Sequence, residues 1–473
     1  MNQRPAFVAP ANPQLMLAST LIICLGSAIT ALTLPDTDIE LNTYRYGAYA
    51  MGLTLALAIG TETFGGVRSL IRVDLVAIAT LFFLTFAEFL APNVTMLYGT
   101  STGNAPQSCE MVIAGLCCIA VGRHIEFRPR ARRGGVQPVS LPEVSPRAIL
   151  ITFFLFTFLG YFYVLAVTKF NIFDIIQQSL GPRFSQPWQR GAVGDWRSFL
   201  TELDLLLYLV AALGGYIFAN TDKFKLGALI SVVAVLLFML FFDVAAGSRN
   251  VVIIKVGLFL VTLLISRRKG INLFLIALCF LSAAFIWEVS GYMLSVRNQG
   301  LASYVSDNGA SIKTKGFMID NNLVTIARVV SVYPKNYPYP GVDVLSQVLT
   351  KWVPRALWPD KPVEWTNSVE NVLATGGGYT LALSYVGEAY LIAGWPSLII
   401  VSLLLGIGAG AWNRVGQEAR TNLDLIYYAS GFFAATLGMR SIQFITIAMV
   451  PTVALYVFGQ FLKRRKRVSA FAA

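Results

Sequence analysis

Charge is scarce in this chain of 473 residues: Asp, Glu, Lys and Arg make up 13% of it, against 56% hydrophobic residues. With a mean hydropathy of +0.63, that shortage excludes a soluble enzyme, which has no use for so much apolar surface at this length. Histidine is nearly absent. The one copy, His124, stands in a basic stretch and is expected to be a solvated loop residue. No His, Cys and carboxylate cluster has metal-ligand spacing, so no metal site is expected. The cysteines Cys24, Cys109, Cys117, Cys118 and Cys279 fall in or beside apolar runs and read as small apolar residues, not as a disulfide framework. No Gly-Lys-Thr/Ser closes a glycine-rich loop; Gly376-Gly377-Gly378 reads as a hinge, and no cofactor is expected. The net charge of +12 calls for no nucleic acid, because loop lysines and arginines orient membrane helices.

What is present is a series of apolar runs near the ~20 residues that cross ~30 Å of hydrocarbon. They predict an all-α polytopic membrane protein of about twelve transmembrane helices. Residues 1–290 carry nine of them, beginning with an anchor at Leu15–Leu34. Residues 291–378 form a large polar insert, and 379–473 carry the last three, the first with its core at Leu391–Ala411 and entered from about Leu381. Counted this way, the basic clusters at 68–72, 123–133, 267–269 and 463–467 share one side. The positive-inside rule makes that side cytoplasmic, with both termini, and turns the 168–197 and 291–378 loops outwards.

The insert holds the most distinctive stretch, Trp352-Val353-Pro354-Arg355-Ala356-Leu357-Trp358-Pro359-Asp360-Lys361-Pro362. Its prolines stiffen the backbone that carries Arg355, Asp360 and Lys361. Trp352 and Trp358 suit a headgroup level or a sugar face. Upstream, the spacing of Leu345, Val348, Leu349, Trp352 and Val353 predicts a short amphipathic surface helix with Asp343 as N-cap. Further charges sit at outer helix ends: Arg249 after Gly247-Ser248, Arg297, Glu388 behind Ser384-Tyr385, and Arg440. Gly247-Ser248 is expected to offer N–H groups to an anion. Arg249, Arg355, Lys361 and Arg440 converge in depth, and guanidinium matches phosphate oxygens bidentately. The ligand expected at that level is a lipid phosphate or diphosphate.

Three pieces resemble the Wzy-type O-antigen or oligosaccharide repeat-unit polymerases: Ala246-Gly247-Ser248-Arg249, the 353–362 stretch, and Ser384-Tyr385-Val386-Gly387-Glu388-Ala389-Tyr390-Leu391-Ile392-Ala393-Gly394. The resemblance covers roughly residues 240–410. It implies a glycosyltransferase C-like fold in the inner membrane, acting at the periplasmic face on undecaprenyl-diphosphate-linked oligosaccharide. It also implies membrane lipid, a chain-length regulator and a flippase as partners. Arg249, Arg355 and Glu388 are then the expected catalytic residues, with Glu388 or Asp360 as base for the acceptor hydroxyl. Lys361, Asp360, Arg440, Trp352, Trp358, Arg297 and Tyr385 are the expected substrate-binding residues. An O-antigen ligase and a lipid-linked glycan transporter or flippase are the alternatives; the first is expected to need an outer histidine, the second broken helices and a mid-membrane site. A topology reporter fused at Asn336 should register as periplasmic and one at Gly134 as cytoplasmic; reversal of either would invert the whole arrangement.

Overall fold

The computed structural model describes residues 12–94, 102–125, 140–188, 200–267, 273–306, 319–351, 353, 357–358, 360–361, 373 and 382–471. Among these, helices form the whole fold and there is no strand. The first half comprises α1 (Pro13–Thr33), α2 (Glu40–Thr63), α3 (Val73–Thr85), α4 (Ala105–Gly122), α5 (Pro146–Val167), α6 (Ile172–Ser179), α7 (Leu206–Ala219) and α8 (Leu226–Ala245). Then come α9 (Arg249–Ser266), α10 (Leu273–Gln299), α11 (Leu301–Ser306), α12 (Asn322–Val332) and α13 (Val342–Thr350). The chain closes with α14 (Ser384–Ala393), α15 (Trp395–Glu418), α16 (Asn422–Arg440) and α17 (Gln443–Phe471).

Eight of the described helices are long and apolar enough to cross a membrane: α1, α4, α5, α7 with its 3-10 lead-in from Glu202, α8, α9, α15 and α17. The protein is therefore a polytopic helical membrane protein. The other four expected stretches are helical as α2, α3, α10 and α16; α2, α3 and α16 fall short in length or apolarity, and α10 is a 27-residue helix. The helix expected to run from Leu381 to Ala411 is two helices. The chain turns at Gly394, φ +75°, where the Tyr339 ring leaves no room for a side chain, and Pro396 starts α15. Ser397 Oγ accepts from the Ala393 N–H at 2.9 Å and donates to the Ala389 carbonyl at 2.7 Å, closing both helix ends at once. Such a break is tolerated in a bundle because a side chain re-satisfies the freed backbone groups.

Two apolar clusters form the core. One gathers α1 to α4 with α12 and α14 from later in the chain. The other gathers α5, α7, α8, α9, α16 and α17. Small residues bring the helices close: Gly122 of α4 lies against Leu403 and Gly406 of α15, and Gly215 of α7 against the Phe259 carbonyl of α9. A Cβ at these places would strike backbone, so contact depends on its absence.

One end of the bundle is closed by a buried ionic network. Arg72 donates to Asp74 at 3.0 and 2.6 Å, and Arg123 to Glu62 at 3.0 Å and Asp74 at 3.1 Å. Asn413 of α15 donates to Asp74 at 2.6 Å and accepts from the Val73 N–H. Two cations meet two anions with nearly every site used, which is what burial of charge requires. His124 belongs here too: its ring nitrogen lies 2.7 Å from Thr20 Oγ1, so it is a partly buried, hydrogen-bonded residue instead of a solvated one. The start of α1 and the end of α17 lie at this same end, through Arg123 to the Met16 carbonyl and Lys463 to the Ser140 carbonyl. Asp74→Ala would leave two guanidiniums facing one carboxylate and should cost about 3–5 kcal/mol. Thermal denaturation in detergent should show a large drop for it, and none for Asp222→Asn on an exposed turn.

Candidate functional site: two arginines at the end of an apolar cavity

At the opposite end, a cavity of about 490 Å³ opens between α3, α9, α10 and α16. It lies at the seam between the two core clusters. Its walls are apolar, with Val76 and Phe83 of α3, Ile253 of α9 and Ile286 of α10 among them. Arg249 and Arg440 line the same cavity. That combination, a greasy trough and two guanidiniums, suits an amphiphile with an anionic head.

Each arginine is placed by a helix end. Arg249 is the first residue of α9, reached through Gly247 at φ +61°, which packs directly on Met293 and Arg297 of α10. The N–H groups of Gly247 and Ser248 donate back to Val244 and Asp243 carbonyls, at 2.9 and 3.2 Å. They close α8 and are not offered to an anion, contrary to the expectation from the Gly-Ser pair. Arg440 is the last residue of α16, where a cation complements the helix dipole. The turn after it is held by Glu388 of α14. One carboxylate oxygen accepts from Ser441 Oγ at 2.6 Å and the other from the Ile442 N–H at 2.7 Å.

Between the arginines stands a residue that sequence reasoning missed. Asp320 lies 3.7 Å from Arg249 and 3.5 Å from Arg440. Its segment is gripped by Glu88, in a 3-10 turn after α3, whose carboxylate accepts from the N–H groups of Ile319 and Asn321 at 2.9 and 3.3 Å. Arg249 donates to the Ile319 carbonyl at 2.8 Å, and Asn322 to the Leu84 carbonyl at 2.7 Å. The side chains of Arg249, Asp320 and Arg440 keep 21%, 17% and 34% exposure, so the charges remain within reach of a ligand. Asp320 carries no local signal of this role; only a partner more than two hundred residues earlier, Glu88, sets its place.

The remaining expected residues are distributed differently. Arg355 and Trp352 lie outside the described residues. Glu388, expected as a base, is buried and committed to the 441–442 turn. Tyr385, expected at the substrate, is core: its hydroxyl lies 3.0 Å from Ser402 Oγ against Gly115. Lys361 donates to the carbonyls of Lys351 and Val353 at 3.1 and 3.0 Å, tying down the chain after α13. Asp360 and Trp358 are exposed. Arg297 stacks over the Phe184 ring at 5.2 Å, beside the α8–α9 turn. In α13, Asp343 is a first-turn residue and Gly341 stands at the N-cap. Val344 and Gln347 face inwards, while Leu345 and Leu349 of the expected apolar stripe are exposed.

Compared with family models, curated proteins and solved structures, the chain matches none of them.

Glu388→Ala should lower the thermal midpoint in detergent, since it orphans a hydroxyl and an N–H at about 1–3 kcal/mol for each buried group. Glu388→Gln keeps an acceptor and should cost less. If both variants melted like the wild type, the carboxylate would not be holding the turn.

Proposed function

We propose that the protein binds a lipid-linked phosphate or diphosphate at the Arg249–Arg440 cavity and uses it as a polymerase of undecaprenyl-diphosphate-linked oligosaccharide repeat units. The observation that carries this reading is the pairing of two guanidiniums with an apolar cavity at one helix-bundle end. The trough takes the first part of an isoprenoid chain, and the arginines take the phosphate oxygens. A lipid diphosphate is already an activated leaving group, so the catalyst must chiefly neutralise the charge that develops as it departs. Arginines do that without a nucleotide. Arg355, on its proline-stiffened stretch, is assigned to the same diphosphate by the resemblance described above. In this reading the twelve helical stretches all span the inner membrane, the ionic network and both termini are cytoplasmic, and the cavity faces the periplasm. Arg72, Arg123 and the 463–467 run then lie inside, in line with the positive-inside rule.

A transporter of lipid-linked glycan is the second reading. It draws on Lys255 and Asp243, an ion pair at 2.8 Å buried between α8 and α9, and on the break at Gly394. Intramembrane charges of this kind often mark translocation paths. The two readings separate in a deletion strain. Loss of a polymerase leaves single repeats on the outer face and removes long chains; loss of a transporter traps single repeats inside.

Arg249→Ala and Arg440→Ala should each weaken binding of undecaprenyl phosphate to the purified protein by at least about tenfold, because a charge-assisted hydrogen bond is worth ~1.5–3 kcal/mol. Lysine at either place keeps the charge without the planar fork and should lose less. Long glycan chains of normal abundance in cells carrying both alanine variants would remove the site from the reaction.

A further inference from the structure

The Asp320 carboxylate already stands where the lipid phosphate of the proposed function would go, and two observations mark it as a provisional occupant. First, its contacts are loose. At 3.5 and 3.7 Å from the guanidiniums it forms long ion pairs, and its buried Oδ2 has no hydrogen-bond partner among the described residues. In the network at the other end, both Asp74 oxygens are hydrogen-bonded to Arg72, at 3.0 and 2.6 Å. Second, the surrounding segment is unusually short of partners. Glu88 Oε1, both polar atoms of the Asn321 side chain and Asn322 Oδ1 are buried with no hydrogen-bond partner among the described residues. Asn321 also sits in the left-handed region at φ +50°. Buried unpaired atoms and such backbone strain persist only where the surroundings impose them, and they concentrate in segments with a second arrangement.

We propose that Asp320 is a built-in counter-ion: it neutralises Arg249 and Arg440 in the empty site and is exchanged for a substrate phosphate, the 319–322 segment giving way as it leaves. This rests on the reading of the cavity as a lipid phosphate site. The exchange solves a problem that the site would otherwise have. Two uncompensated guanidiniums beside an apolar trough would be costly when empty. They would also hold the diphosphate product as firmly as the substrate, which slows release without helping the chemical step. A carboxylate that returns when the phosphate departs lowers the affinity for both and makes the empty site stable. Binding then reports a difference between two anions competing for one pair of cations.

The test uses the full-length protein in detergent with undecaprenyl phosphate as probe. Asp320→Asn preserves the shape and removes the competing charge; binding should tighten about tenfold. Asp320→Glu carries the carboxylate one methylene further and should bind no more tightly than wild type. A residue with a purely structural role would weaken binding in both variants. If Asp320→Asn does not yield folded protein, Asp320→Ser carries the same expectation. Should wild type bind the probe and Arg249→Ala not, while the neutral variant binds equally or more weakly, the counter-ion role is overturned and the phosphate site stands. Should wild type and Arg249→Ala bind alike, both ideas fall together.

Discussion

A charge inside an apolar bundle must be met by a partner brought from another part of the chain, and both ends of this molecule are arranged by that requirement. At the end holding the termini, Arg72 and Asp74 come from the start of α3, Glu62 from the end of α2, Arg123 from beyond α4 and Asn413 from α15. Removing any one would strand the others in a medium that cannot solvate them. The network therefore ties four helices together more specifically than apolar packing could. At the other end the same rule is obeyed less completely. Arg249 and Arg440 lie 3.7 and 3.5 Å from Asp320, and several polar atoms of its neighbours have no hydrogen-bond partner among the described residues. The charges at one end are fully hydrogen-bonded and those at the other are held more loosely, and that contrast is the physical argument behind the proposed site.

The polar insert at 291–378 is built into the bundle through α12. Helix α12 lies in the core of the first cluster, with Leu323, Ile326 and Val329 fully buried beside residues of α4. Helix α14 packs there as well, with Tyr385 reaching Gly115. Because the insert is anchored this deeply, the segment just before α12 is tethered at one end, and Glu88 accepts from its backbone N–H groups. Asp320 is thus delivered to the arginines by a short segment tethered to a buried helix.

Several polar residues near the site serve geometry. Glu388 supports the turn that follows Arg440, and Lys361 gathers the backbone after α13. Their value to the proposed site is indirect: a guanidinium displaced by an ångström would lose its fit to a phosphate. A carboxylate in the right sequence neighbourhood was expected to act as a base, and burial gave it a different task.

Much of the architecture is decided by the sequence alone. Apolar runs of membrane length, separated by basic turns, can only become helices in lipid, because no other local structure satisfies its own backbone there. The arginines at 249 and 440 were legible for the same reason: charge beside an apolar run is costly enough to mark itself. What the sequence could not determine is how charges pair across distance. Arg72, Arg123 and His124 read as loop residues, yet the two arginines are buried and the histidine partly so, because Thr20, Glu62 and Asp74 meet them there. The break at Gly394 was hidden because Gly and Pro within an apolar run are compatible with a continuous helix, and only the Tyr339 ring and Ser397 decide the turn. Asp320 was invisible for the strongest reason. Its setting depends on Glu88, Arg249 and Arg440, which lie on three separate elements, and electrostatic pairing has no sequence period from which to read it.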